Sequence, residues 1–206
     1  MKKPHVLLFN GYADWEIGHI LPELRRLGGH ETVNVGFDNA PVTSMGGLKV
    51  TPDKTLNEID LDEVLIFIIP GGYMWEQGYP EKEINQILLQ LNEKNILIAA
   101  VCAATTVLAK AGLLKNREHT SNSLNYIKKM VHHYESEKDY IDSPAVIGEN
   151  IITASGLASV DFTMQILQKL EISTQKMREI WYDAFKKEIY PNEEVEIGRA
   201  SCRERV

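Results

Sequence analysis

The chain has 206 residues, a length that suits one α/β domain, and 44% apolar content is ample for a core. A net charge of −7 argues against a basic face for nucleic acid or an anionic membrane. No apolar run approaches the about 18 residues of a membrane span, the start is too weakly apolar for a signal peptide, and two cysteines make no disulfide framework, so a cytoplasmic location is expected.

Residues 5–9 form a short apolar strand that ends at Asn10-Gly11. Asp14 is placed to cap a helix over 15–27, which Gly28-Gly29 stops and Pro22 kinks near Gly18-His19. Residues 32–37 alternate like a second strand. Residues 42–50, with Gly46-Gly47 at the turn, read as a small hairpin. Residues 64–69 are apolar on both faces, as a central parallel strand is, and run directly into Pro70-Gly71-Gly72. A helix over 80–92 follows, then an apolar run over 96–101 that switches to helical spacing at Cys102. Further on, 123–131 is a short helix, 145–148 and 151–154 a strand pair, and 159–170 and 174–187 amphipathic helices. Alternating strands and helices imply one parallel sheet covered on both sides, with ligands at the carboxyl ends of its strands. Asn10-Gly11, Pro70-Gly71-Gly72, Cys102 and 154–156 all fall at such ends.

Ala100-Val101-Cys102-Ala103-Ala104 has the form of a nucleophile elbow, in which small neighbours let a strand turn sharply into a helix. The helix that starts there directs N–H groups at the sulfur and favours thiolate over thiol. A buried structural cysteine is the competing explanation. The last ten residues, 197–206, lack periodicity and resemble the translation of a sequencing adapter. One domain over 1–196 with a non-native tail is therefore expected. Setting aside the tail's three arginines and one glutamate takes the charge from −7 to about −9 and leaves Cys102 as the sole cysteine. Around Cys102, Glu16 is a candidate proton carrier, raised in pKa by burial and by a nearby thiolate. The N–H groups of Gly71, Gly72 and Ala103 are candidate oxyanion donors.

Five segments, 11–16, 44–50, 69–72, 100–104 and 153–156, in this order and spacing, resemble the DJ-1/PfpI superfamily of class I glutamine-amidotransferase-like proteins. The resemblance spans roughly residues 4–172. It implies a flavodoxin-like three-layer sandwich with a mostly parallel central sheet, a dimer, a reactive elbow cysteine at Cys102, and Glu16 in the place of a glutamate that hydrogen-bonds the sulfur.

The histidine of an amidotransferase triad is absent, since none of the six histidines follows residue 133. The protease-like branch carries a histidine directly after the cysteine, where this chain has Ala103. His119, in the loop 116–122, is the remaining candidate partner, against a plain loop histidine. His132-His133 sit at a helix end without companion ligands, so no metal and no cofactor are expected. Trp15, Tyr73, Met74 and Trp75 fit a wall over Cys102, with Asn10 beside it, and fit core or dimer contacts equally. The chemistry that follows is thiol attack on a small amide or reactive carbonyl, with redox sensing through oxidation of Cys102 or ligand binding without chemistry as the alternatives.

Overall fold

The computed structural model describes residues 1–191; the adapter-like tail expected at 197–206, with Cys202, lies outside them. Nine strands are described: β1 (Lys3–Leu7), β2 (Val33–Gly36), β3 (Val42–Thr43), β4 (Lys49–Val50), β5 (Lys54–Thr55), β6 (Val64–Ile69), β7 (Leu97–Val101), β8 (Ala145–Gly148) and β9 (Ile151–Ala154). Seven form one sheet in the order β5-β2-β1-β6-β7-β9-β8, parallel except for β8. β3 and β4 form the small antiparallel hairpin read from 42–50. β6 lies at the sheet's centre, and all its residues but the half-buried Leu65 are fully buried. That follows from its apolar side chains on both faces, the pattern of a strand covered by helices above and below.

The helices are α1 (Asp14–Ile17), α2 (Ile20–Arg26), α3 (Met74–Gln77), α4 (Glu81–Glu93), α5 (Ala104–Lys110), α6 (Leu124–Met130), α7 (Ser159–Lys169) and α8 (Gln175–Lys187). α2 and α8 pack on α7, while α3 and α6 pack on α5. The layered, mostly parallel architecture matches the flavodoxin-like sandwich expected.

The helix expected over 15–27 is two helices, separated at Gly18-His19. Pro22 has no N–H to give the Gly18 carbonyl and its ring crowds that carbonyl, so the chain breaks there. Pro22 then occupies the third position of α2, where the missing donor costs nothing. Asp14 does not cap the helix as expected. It is the first helical residue, and its Oδ2 accepts from Ser44 Oγ at 2.6 Å and Gly46 N at 3.0 Å. The carboxylate thereby fastens the β3–β4 hairpin beside α1. Strand β5 and helix α3 were not read from the sequence: each is too short to display a period.

Candidate active site

Cys102 leaves β7 with φ +60°. This left-handed conformation costs a non-glycine residue about 1–2 kcal/mol. Local bonds hold it there: Cys102 N–H donates to Ala154 O at 2.9 Å, and Cys102 O accepts from Thr105 Oγ1 at 2.6 Å. Ala100 and Ala104, on either side, are fully buried, which requires small residues at both positions. The elbow expected from the sequence is present in backbone geometry.

Glu16 reaches the same place from α1 and has no solvent exposure at all. The Gly71 N–H donates to its Oε2 at 2.5 Å. Its Oε1 is buried with no hydrogen-bond partner, and it shares a small space with the sulfur. Two glycines make room for this pair. A Cβ on Gly156 would fall 2.7 Å from Sγ and 3.0 Å from Oε1; one on Gly71 would fall 2.7 Å from both Cys102 Cβ and Oε2.

The third group is Asn122, which the sequence reading passed over. Its Nδ2 donates to Cys102 Sγ at 3.3 Å, and its Oδ1 accepts from Gly156 N at 2.9 Å. Gly156 O in turn accepts from Trp15 Nε1 at 3.2 Å. The available signal was the polar run Ser121-Asn122-Ser123 entering α6, in which Ser123 caps the helix and Ser121 bonds Thr105. Those two anchors leave Asn122 at the strand ends.

Burial dominates the electrostatics. It raises the Glu16 carboxyl from an ordinary 4.5 to about 7, against the Gly71 and Cys102 hydrogen bonds, which favour the carboxylate. Burial also pushes the Cys102 thiol up to about 11, and the Glu16 charge pushes the same way. Asn122 and the Ala103 N–H oppose this without overcoming it. The expectation that the helix alone would favour thiolate is therefore corrected: desolvation outweighs the N–H groups of a seven-residue helix. Near neutral pH the cysteine is a thiol beside a carboxyl that is split between acid and carboxylate. Attack by sulfur then requires Glu16 to take the thiol proton.

The other expected residues divide. Gly72 and Ala103 line a cavity of about 150 Å³ over the sulfur, together with Trp15, Glu16, Tyr73 and Met45. Gly71 is no oxyanion donor, because its N–H is committed to Glu16. His119 does not turn toward the cysteine. It is fully buried, with Nδ1 bonded to Arg117 O at 2.7 Å and Nε2 to Tyr134 OH at 2.5 Å, and its ring packs edge-on against Tyr134 and Tyr140. Both ring nitrogens are used, so it braces the loop. Asn10 lines a separate, larger hollow, where its Oδ1 accepts from Thr43 N. Trp75 belongs to the core, its Nε1 bonded to Pro70 O. His132 and His133 are exposed beyond α6. Among the described residues no cluster of three or more His, Cys, Asp or Glu could hold a metal.

An elbow cysteine at the end of a parallel strand, paired with a buried glutamate from the first helix, defines a class of cysteine proteins on a flavodoxin-like sheet. The DJ-1/PfpI family model matches residues 2–169, and the chain belongs to that family. It is 33% identical over 188 residues to the protein named uncharacterized protease YoaZ of Bacillus subtilis, covering 88% of this chain and 89% of that one. It is 28% identical to the glutathione-independent glyoxalase DJR-1.2 of Caenorhabditis elegans, covering 70% and 75%. The crystal structure of the DJ-1 superfamily protein Atu0886 from Agrobacterium tumefaciens superimposes with a TM-score of 0.84 at 34% identity, covering 91% of this chain and 99% of that one.

Proposed function

We propose that the protein is a cysteine-dependent enzyme that adds its thiol to a small reactive carbonyl, with Cys102 as nucleophile and Glu16 as proton shuttle. The observation that carries this is the buried Oε1 of Glu16, which has no hydrogen-bond partner and shares a small space with the sulfur, while His119 is turned away. A base whose pKa lies near 7 is well matched to proton transfer at neutral pH. The Glu16 carboxylate takes the thiol proton as sulfur bonds to the carbonyl carbon. The carbonyl π electrons move to oxygen, and the Ala103 and Gly72 N–H groups stabilise that oxyanion. Glutamic acid returns the proton to that oxygen, giving a hemithioacetal. With a 2-oxoaldehyde the Glu16 carboxylate then carries the proton of the former aldehyde carbon to the neighbouring carbon, leaving a thioester that water hydrolyses to a 2-hydroxy acid and the free thiol. Asn122 orients the sulfur and donates to it as charge builds, but an amide cannot accept the proton.

Hydrolysis of an amide would further require protonating an amine leaving group. His119 is bonded to Arg117 and Tyr134, and Glu76, the second acid lining the cavity, accepts from Tyr126 OH, which leaves Glu16 to serve the sulfur and favours carbonyl addition over proteolysis. One relative is named a protease and another a glyoxalase; the site supports the second chemistry. The experiment is consumption of methylglyoxal, without added thiol, by the wild-type protein, Cys102→Ser and Glu16→Gln. Loss of nearly all turnover in both variants is expected. Turnover that survives Cys102→Ser would sink the mechanism.

The same donors favour a second reading, oxidation of Cys102 by peroxide. Protonated Glu16, Asn122 Nδ2 and Ala103 N–H would hold the oxygens of a sulfinate. Peroxide titration followed by intact mass would show added oxygen, reduced in Glu16→Gln. A sulfur inert to both reagents leaves a ligand-binding module. A homodimer accompanies the main reading: Trp15 and Tyr73, which line the cavity, are 50% and 65% exposed, and Leu157, next to Gly156, is 96% exposed, surface that a second copy would cover. A reducing cytoplasm suits a free thiol with this role.

A further inference from the structure

We propose that the hollow beside the cysteine cavity binds the unreactive part of an elongated substrate, and that this part is a flat, uncharged or cationic aromatic group. The inference rests on the carbonyl-addition reading and names the substrate class for that site. Volume is the first reason. Pockets that enclose a drug-sized molecule run about 300–1,000 Å³, and the cavity over Cys102, at about 150 Å³, has room for a small carbonyl group but not for a larger substrate's remainder. The neighbouring hollow, at about 490 Å³, lies within the range, and Tyr73 lines both.

Topology is the second reason. β1 has β2 on one side and β6 on the other. The chain thus leaves β1 in one direction and later returns on its opposite flank, a topological switch point, outside which open parallel sheets bind ligands. The hollow is built from the segments that follow these strands: residues 8–11 after β1, 37–38 after β2, and 73–74 after β6. The cysteine stands one strand further along, at the end of β7.

The lining chooses the chemistry. Phe37 and Tyr73 offer aromatic surface over a floor that includes the buried Phe9, and Asn10 and Gln77 offer amide groups at the edge. Asp38 is the one charged residue in the lining, and no Lys, Arg or His joins it. A phosphate or carboxylate would find no counter-charge there and would face Asp38. A ring would find packing on its faces and hydrogen bonds on its rim.

The test compares phenylglyoxal with methylglyoxal, two 2-oxoaldehydes that differ in an aryl group, and adds binding of acetophenone, which has the ring without the aldehyde. Two variants probe the hollow: Phe37→Ala removes a wall, and Gln77→Trp fills the hollow from an exposed helix position that the fold does not need. The expected result is a kcat/KM ratio of phenylglyoxal to methylglyoxal that falls about tenfold in either variant, the worth of one aromatic contact. A ratio within about twofold of wild type in Gln77→Trp overturns the proposal. If neither aldehyde reacts but acetophenone binds and Gln77→Trp abolishes that binding, the carbonyl chemistry falls while the subsite stands. If acetophenone binding is indifferent to Gln77→Trp, the subsite falls.

Discussion

The Glu16 carboxyl titrates near pH 7 because it is fully buried, and its titration couples stability to pH. Its pKa is higher in the folded chain than in the unfolded one. The folded state therefore binds the proton more tightly, and the associated stability is fully present below about pH 4.5. It is lost as pH rises through about 7. The shift corresponds to about 3 kcal/mol. Urea denaturation at pH 4 and pH 8 should show the wild type losing about that much relative to Glu16→Gln, whose side chain has no proton to lose. Parallel curves for the two proteins would mean that Glu16 is not buried as an acid. The Cys102 thiol carries the same sign at higher pH: it stays protonated through neutrality and ionises only toward about 11. A resting thiol follows, so alkylation of the free enzyme by iodoacetamide should be slow at pH 7 and quicken toward alkaline pH.

At the scale of elements, α8 fully buries one side chain, while Tyr182 and Lys186 bond Asp161 of α7 at 2.8 and 2.7 Å. Trp181 is fully buried, and its Nε1 donates to Glu23 Oε1 at 2.9 Å. That carboxylate is itself gripped by Arg26, with contacts of 2.7 and 2.8 Å. The Trp181 ring also packs against Phe185 and His19, which joins α8 to the break between α1 and α2. Trp181→Ala should destabilise the protein by about 3–5 kcal/mol. Hydrogen exchange should show amides of α8 opening ahead of those of β6 and β7. Uniform loss of protection across the sheet would show instead that α8 has no separate stability. The elbow depends on neighbours in a similar way: Ala154 O receives the Cys102 N–H, so β9 supports the strained turn at the end of β7.

For the whole molecule, exposed apolar side chains on the segments that flank the site set the expectation. Leu157 is almost fully exposed one residue past Gly156, and Leu48 projects from the β3–β4 hairpin. Burying them against a second copy would place the dimer contact on the segments that carry Gly156 and the β3–β4 hairpin. Sedimentation velocity should give a dimer for the wild type and a monomer for Leu157→Glu, which puts charge into that contact without touching the core. A dimer unchanged by Leu157→Glu would place the interface elsewhere.

The sequence by itself determined what local pattern can encode. The two-sided apolar run of β6 implied its central place, the small residues about Cys102 implied a sharp elbow, and Pro22 implied a kink near Gly18-His19, where the helix is in fact broken in two. The ordered segments about 11–16, 69–72 and 100–104 brought Glu16, Gly72 and Cys102 to one end of the sheet, where the structure has them. Tertiary structure alone decided which groups touch the sulfur. Asn122 bonds it from twenty residues away, while His119, three positions earlier, turns to Arg117 and Tyr134. Gly71 N–H serves the carboxyl and is lost to the oxyanion. The thiol's pKa rises where the helix N–H groups would have lowered it. The reason is physical: turns and periodicity arise from neighbours along the chain, but hydrogen-bond partners and desolvation are properties of atoms brought together from distant segments.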